Sequence, residues 1–85
     1  MGEMGKEILL LKARLADKKK SLEDMNLRAD SYIILLRDII DPYIEDFTNM
    51  NMDRAMVTMR DFSRLYNEAK ELKGQIARME RDLNG

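Results

Sequence analysis

Residues 37–53 read Arg37-Asp38-Ile39-Ile40-Asp41-Pro42-Tyr43-Ile44-Glu45-Asp46-Phe47-Thr48-Asn49-Met50-Asn51-Met52-Asp53, and they lie between two long stretches of heptad-spaced apolar residues. Pro42 cannot extend a preceding helix without a kink, because its ring clashes with the turn before it and it has no N–H to donate. Asn51 can cap a new helix through its side-chain oxygen, with Asp53 in the positive first turn. The stretch therefore ends one helix and starts another.

Working back from Pro42, apolar residues recur with 3-4 spacing at Ile8, Leu11, Leu15, Leu22, Met25, Ala29, Tyr32, Leu36, Ile39 and Tyr43, with Lys18 as the polar member. No Gly or Pro falls between Lys6 and Asp41. This predicts an amphipathic helix over 6–41, roughly 50 Å long. Working forward, Ala55, Thr58, Phe62, Leu65, Ala69, Leu72, Ile76, Met79 and Leu83 form a second stripe and predict a helix over 52–83. Gly74 falls on its outer side, where it costs about 1 kcal/mol relative to Ala without ending the stripe. The connector is 42–51, and Asp41 as N-cap with Pro42 at N1 predicts a short helix over 42–47.

Two similar helices joined by about ten residues fold back antiparallel. Centring the turn on Phe47 makes partner numbers sum to 94, which sets Leu15 against Met79, Lys18 against Ile76, Met25 against Ala69, Ala29 against Leu65, Tyr32 against Phe62 and Ile39 against Ala55. Large residues repeatedly face small ones, as close packing requires. On one flank Arg14 meets Asp82, Ser21 meets Gln75 and Arg28 meets Glu68; on the other Lys12 meets Glu80 and Lys19 meets Lys73. The expected fold is all-α, one antiparallel helical hairpin (a two-helix coiled coil) spanning 1–85 as a single domain.

Near the turn the second flank becomes apolar, through Ile33, Ile40, Ile44, Phe47, Met52, Met56, Met59 and Tyr66. One helical pair cannot cover this extra stripe, and a lone hairpin encloses no core. Pairing two hairpins into a four-helix bundle covers it by symmetry, so a homodimer or higher oligomer is expected, with these eight residues as the protein interface. The same stripe could receive a helix of another protein, as in small hairpin chaperones, since methionines adapt to varied surfaces.

Composition restricts the chemistry. The 85 residues include no cysteine and no histidine, which removes disulfides, thiolate nucleophiles, the commonest general base and the commonest metal ligands. No catalytic, metal or cofactor site is expected. The absence of cysteine suits the cytoplasm. Fifteen basic against sixteen acidic residues leave a net charge of -1, so nucleic acid is not an expected partner. The longest apolar run, Tyr32 to Leu36, is far too short to span a membrane. Lys18, Lys19, Lys20 and Lys73 form a candidate anion patch, set against the simpler reading in which Lys18 snorkels out of the seam.

Asp38-x-x-Asp41 and Glu68-x-x-Glu71 resemble the paired helical carboxylates that bind magnesium in all-α nucleotide pyrophosphohydrolases. In the hairpin register the two pairs lie well apart along the stem, which prevents them from sharing one ion within a chain. Chorismate-mutase-like chemistry would need several inward cations, and only Lys18 is inward. The architecture is similar to that of helical-hairpin secretion chaperones, although the Trp-x-Gly turn of WXG-type hairpins is absent because the chain has no tryptophan. The expected function is thus a non-enzymatic assembly or adaptor module.

Overall fold

A computed structural model describes residues 2–84, with side chains described from Gly5 onward. Helix α1 runs Gly2–Ile39, helix α2 runs Met52–Asn84, and a short 3-10 turn occupies Phe47–Asn49 between them. The two helices pack antiparallel into an all-α hairpin 69 Å long and 17 × 15 Å across, the width of two helices. Among the described residues there is no strand, and no helix is long and apolar enough to cross a membrane.

The end of α1 follows from Pro42. A residue before proline is pushed out of the α region, so Asp41 leaves the helix and the last full turn closes with Ile40 N–H donating to the Leu36 carbonyl at 2.8 Å. Asp41 then holds a tight turn: its Oδ1 accepts from Tyr43 N–H at 2.9 Å and its carbonyl accepts from Ile44 N–H at 3.2 Å. The short helix expected over 42–47 is not formed. Asp46 makes a second local turn instead, accepting from the Thr48 N–H at 3.0 Å and the Thr48 hydroxyl at 2.7 Å, and caps Phe47–Asn49. Both aspartates hydrogen-bond two residues ahead, which competes with continuous helix. This geometry also corrects the expected end of the seam, since the Asp41 turn swings Tyr43 outward to 89% exposure.

The start of α2 is as expected: Asn51 Oδ1 accepts from Arg54 N–H at 3.1 Å, the Asn51 carbonyl accepts from Ala55 N–H at 3.0 Å, and Asp53 stands in the first turn. Helix α1 begins at Gly2, four residues before the expected Lys6, and passes through Gly5. Extension from a formed helix adds one hydrogen bond per residue, which carries it through isolated glycines.

The seam consists of the stripe residues. Leu15, Lys18, Leu22, Met25, Ala29, Tyr32, Leu36 and Ile39 of α1, and all nine stripe residues of α2, are buried or half-buried. Tyr32 and Phe62 stack with ring centroids 5.9 Å apart, fixing the register in which partner numbers sum to 94. The seam's polar members are satisfied: Thr58 Oγ1 donates back to the Arg54 carbonyl at 2.7 Å, and Lys18 Nζ donates to Gln75 Oε1 at 2.8 Å. Toward the open end the stripe loses cover, and Ile8 and Leu11, expected in the seam, are exposed. Asn84, the last residue of α2, is level with residue 10, so the first turns of α1 have little of α2 beside them.

Leu65 is the most buried large side chain, at 3% exposure, and a Cβ added to Gly74 would meet nothing within 4 Å. Leu65→Ala is therefore expected to destabilise the fold by about 2–4 kcal/mol, while Gly74→Ala stabilises it by about 0.5–1 kcal/mol through helix propensity alone. Urea denaturation of the two variants checks both signs.

Candidate functional site

Beside the seam each helix presents two flanking columns. On one flank α1 contributes Lys12, Lys19, Asn26, Ile33 and Ile40, and α2 contributes Glu80, Lys73, Tyr66, Met59 and Met52, in order from the open end to the turn. Asn26 and Tyr66 line one open groove of about 500 Å³ together with Leu22, Ala69, Lys70 and Lys73, so the columns meet across the seam as their register requires. Lys70 Nζ lies 5.3 Å from the centroid of the Tyr66 ring and covers one of its faces.

From Tyr66 to the turn this flank is apolar and open to solvent. Ile33, Ile40, Met52, Met56, Met59 and Tyr66 are all exposed, Ile40 by 50% and Met59 by 51%, and Phe47 at the tip is 73% exposed. Ile44 differs from the other seven residues singled out in the sequence, being half-buried within the connector. Leu9, Leu10, Leu27, Ile34 and Val57 are also exposed apolar residues that the stripes did not mark. The seven-residue spacing of Leu27 and Ile34 was the available signal for an outer column on α1.

Toward the open end the flank is charged. Lys19 Nζ pairs with Glu80 Oε1 at 3.1 Å, whereas the register alone set Lys12 against Glu80. The reason is the lean of helical side chains toward their own N-terminus. In an antiparallel pair Lys19 leans toward the open end and Glu80 toward the turn, so they converge, while Lys12 leans away. This diagonal pair also draws Lys19 away from Lys73.

Of the candidate anion patch, Lys20 is exposed, and Lys18, Lys19 and Lys73 do not converge. Lys18 shares a groove with Ser21, Glu68, Glu71 and Gln75 on the other flank; Lys73 opens beside Tyr66 and Lys70; and Lys19 is engaged by Glu80. The two carboxylate pairs are likewise separate, with Glu68 and Glu71 beside Lys18, and Asp38 and Asp41 beside Arg37 and Pro42 at the end of α1. Among the described residues no three acidic side chains stand close enough together to hold a metal ion. All these grooves are shallow, since a two-helix layer has no third element to roof them.

At the tip, Asp46 has its carboxyl held below the ordinary value of 3.8, first by the Thr48 hydroxyl and then by the Thr48 backbone N–H, both donating to its charged form. Comparison of the chain with protein-family models, curated proteins and solved structures returns no match. The functional reading therefore rests on the geometry of the flank.

A carboxyl whose folded pKa is lowered binds its proton less tightly than in the unfolded chain. Its stabilising contribution is complete above pH 3.8 and is lost as pH falls through the lowered value. Carbon-detected NMR titration should place the Asp46 midpoint below 3.8, and in Thr48→Val the midpoint should move up toward 3.8. An unmoved midpoint would contradict the hydroxyl's role.

Proposed function

We propose that the hairpin is a non-enzymatic assembly module that binds a second copy of itself through the apolar flank of its turn half, giving a four-helix bundle. The observation that carries this reading is the open apolar surface made by Ile33, Ile40, Met52, Met56, Met59 and Tyr66. Contiguous apolar patches of this kind mark protein contacts more often than they occur as idle surface. Area supports the same reading. The chain exposes 7236 Å², while a compact protein of its mass exposes about 5,200 Å². The excess follows from the 69 × 17 × 15 Å shape of a two-helix layer, which leaves area for a further layer to cover.

The openness of the grooves suits this role. Lys18 is satisfied by Gln75, and the grooves are open rather than enclosed, so a reacting group would meet bulk water. The cytoplasm, with no cysteine to oxidise, suits such a module. A second reading is favoured by the three methionines on the flank, Met52, Met56 and Met59, whose flexible thioethers can fit helices of different shape. In that reading the hairpin is a small chaperone or regulator, and the same flank receives a helix of another protein.

Light scattering after size exclusion tests self-association. At tens of micromolar the expected mass is twice the 10.0 kDa of the chain. Ile40→Asp combined with Met59→Asp should weaken association at least about a hundredfold, because the contact would then bury unpaired carboxylates. A clean monomer for the unaltered chain would reject the reading.

A further inference from the structure

We infer that Met52, Met56 and Met59 form a modification site for peroxide, and that their conversion to methionine sulfoxide releases the hairpin from its second copy. This rests on the self-association proposed above and assigns its regulation.

The first ground is placement. Four of the chain's eight methionines, Met50, Met52, Met56 and Met59, fall within residues 50–59. Three of them recur at i, i+4 and i+7 of α2, a spacing that puts side chains on one helical face. Each is about half exposed, at 53%, 58% and 51% for Met52, Met56 and Met59. The other methionines whose side chains are described, Met25, Met50 and Met79, are half-buried. The chain has no cysteine, so no thiolate competes for peroxide, and these three thioethers are its most open targets among the described residues.

The second ground is what surrounds them. The hairpin register sets Met59 against Ile33 and Met52 against Ile40, so the sulfurs lie within the apolar flank. Leucine there would bury a similar volume and would not react; methionine gives the same contact an oxidisable atom. One peroxide is consumed at each residue. The sulfur donates a lone pair to one peroxide oxygen, the O–O bond breaks, and the other oxygen leaves as water. Sulfur loses two electrons and the peroxide gains them. The product carries a strong hydrogen-bond acceptor, and Ile33 and Ile40 have no side-chain donor to offer it. Closing the flank over a sulfoxide therefore strips water from a polar group without replacement. Peroxide acts on the dissociated copy, whose flank is open as in the single hairpin, and the oxidised copy cannot pair again. The seam contacts of the hairpin itself are untouched.

The test is light scattering after size exclusion, before and after brief treatment with hydrogen peroxide. Peptide mass spectrometry locates the added oxygens and circular dichroism follows the helix. Oxygen should enter Met52, Met56 and Met59 ahead of Met25 and Met79, with the helix retained. Association should weaken at least about a hundredfold, the mass falling from twice 10.0 kDa toward 10.0 kDa. A variant combining Met52→Leu, Met56→Leu and Met59→Leu should keep the double mass after the same treatment, whereas Met25→Leu with Met79→Leu should lose it as the unaltered chain does. A flank that still pairs when oxidised, loss of pairing in the first variant on treatment, or loss of helix would each overturn the switch while leaving self-association intact. A single-chain mass for the untreated, unaltered protein would overturn both.

Discussion

Two helices laid side by side share one line of contact, and everything else about this chain follows from how much can be buried along it. The stripes of α1 and α2 fill that line with large side chains facing small ones, and Tyr32 stacks on Phe62 within it. Even so, the best-covered side chain, Leu65, is still 3% exposed, and Leu36, Ile39 and Ile76 are each 9% exposed. A single contact line holds the register but encloses no volume. That is why the grooves are shallow, and why Lys18 can lie in the seam with its ammonium group bonded to Gln75.

The flanks divide the hairpin into two unlike halves. In the stem the flanking residues are charged, and they lie beside water without cost. In the turn half the same columns carry isoleucine, methionine and tyrosine, which gain about 25 cal/mol for each Å² removed from water. The connector sharpens this contrast, because its aspartates satisfy local N–H groups and form a tip without a cation. The apolar face thus lies between an acidic tip and a stem whose flanking residues carry both signs of charge.

Most of the fold could be read from the residues, because heptad spacing depends only on helix geometry. The seam from Leu15 to Ile39 and from Ala55 to Leu83, its register and the Asn51 cap all depend on that geometry or on local capping chemistry. What escaped reading depends on direction and local competition. Lys19 meets Glu80 because side chains lean along the helix, which residue spacing ignores. The turns at Asp41 and Asp46 replaced a short helix because carboxylates bonded to the backbone two residues on, an outcome that Pro42 at a potential N1 position did not reveal. Leu27, Ile34 and Val57 point outward, off both heptad stripes, so the spacing that defines the seam carries no signal for them. Of the candidate site, the apolar flank was readable as a set of residues; the separation of Lys18 and Lys73 into different grooves was not, because it depends on where long side chains end.

In the proposed assembly this hairpin completes its burial only with a second copy. Folding coupled to association makes the melting midpoint depend on protein concentration, since the dimer alone is favoured by mass action. Thermal melts followed by circular dichroism from about one to several hundred micromolar test this most directly. The expected midpoint rises steadily with concentration, and a midpoint that stays constant across that range would contradict self-association.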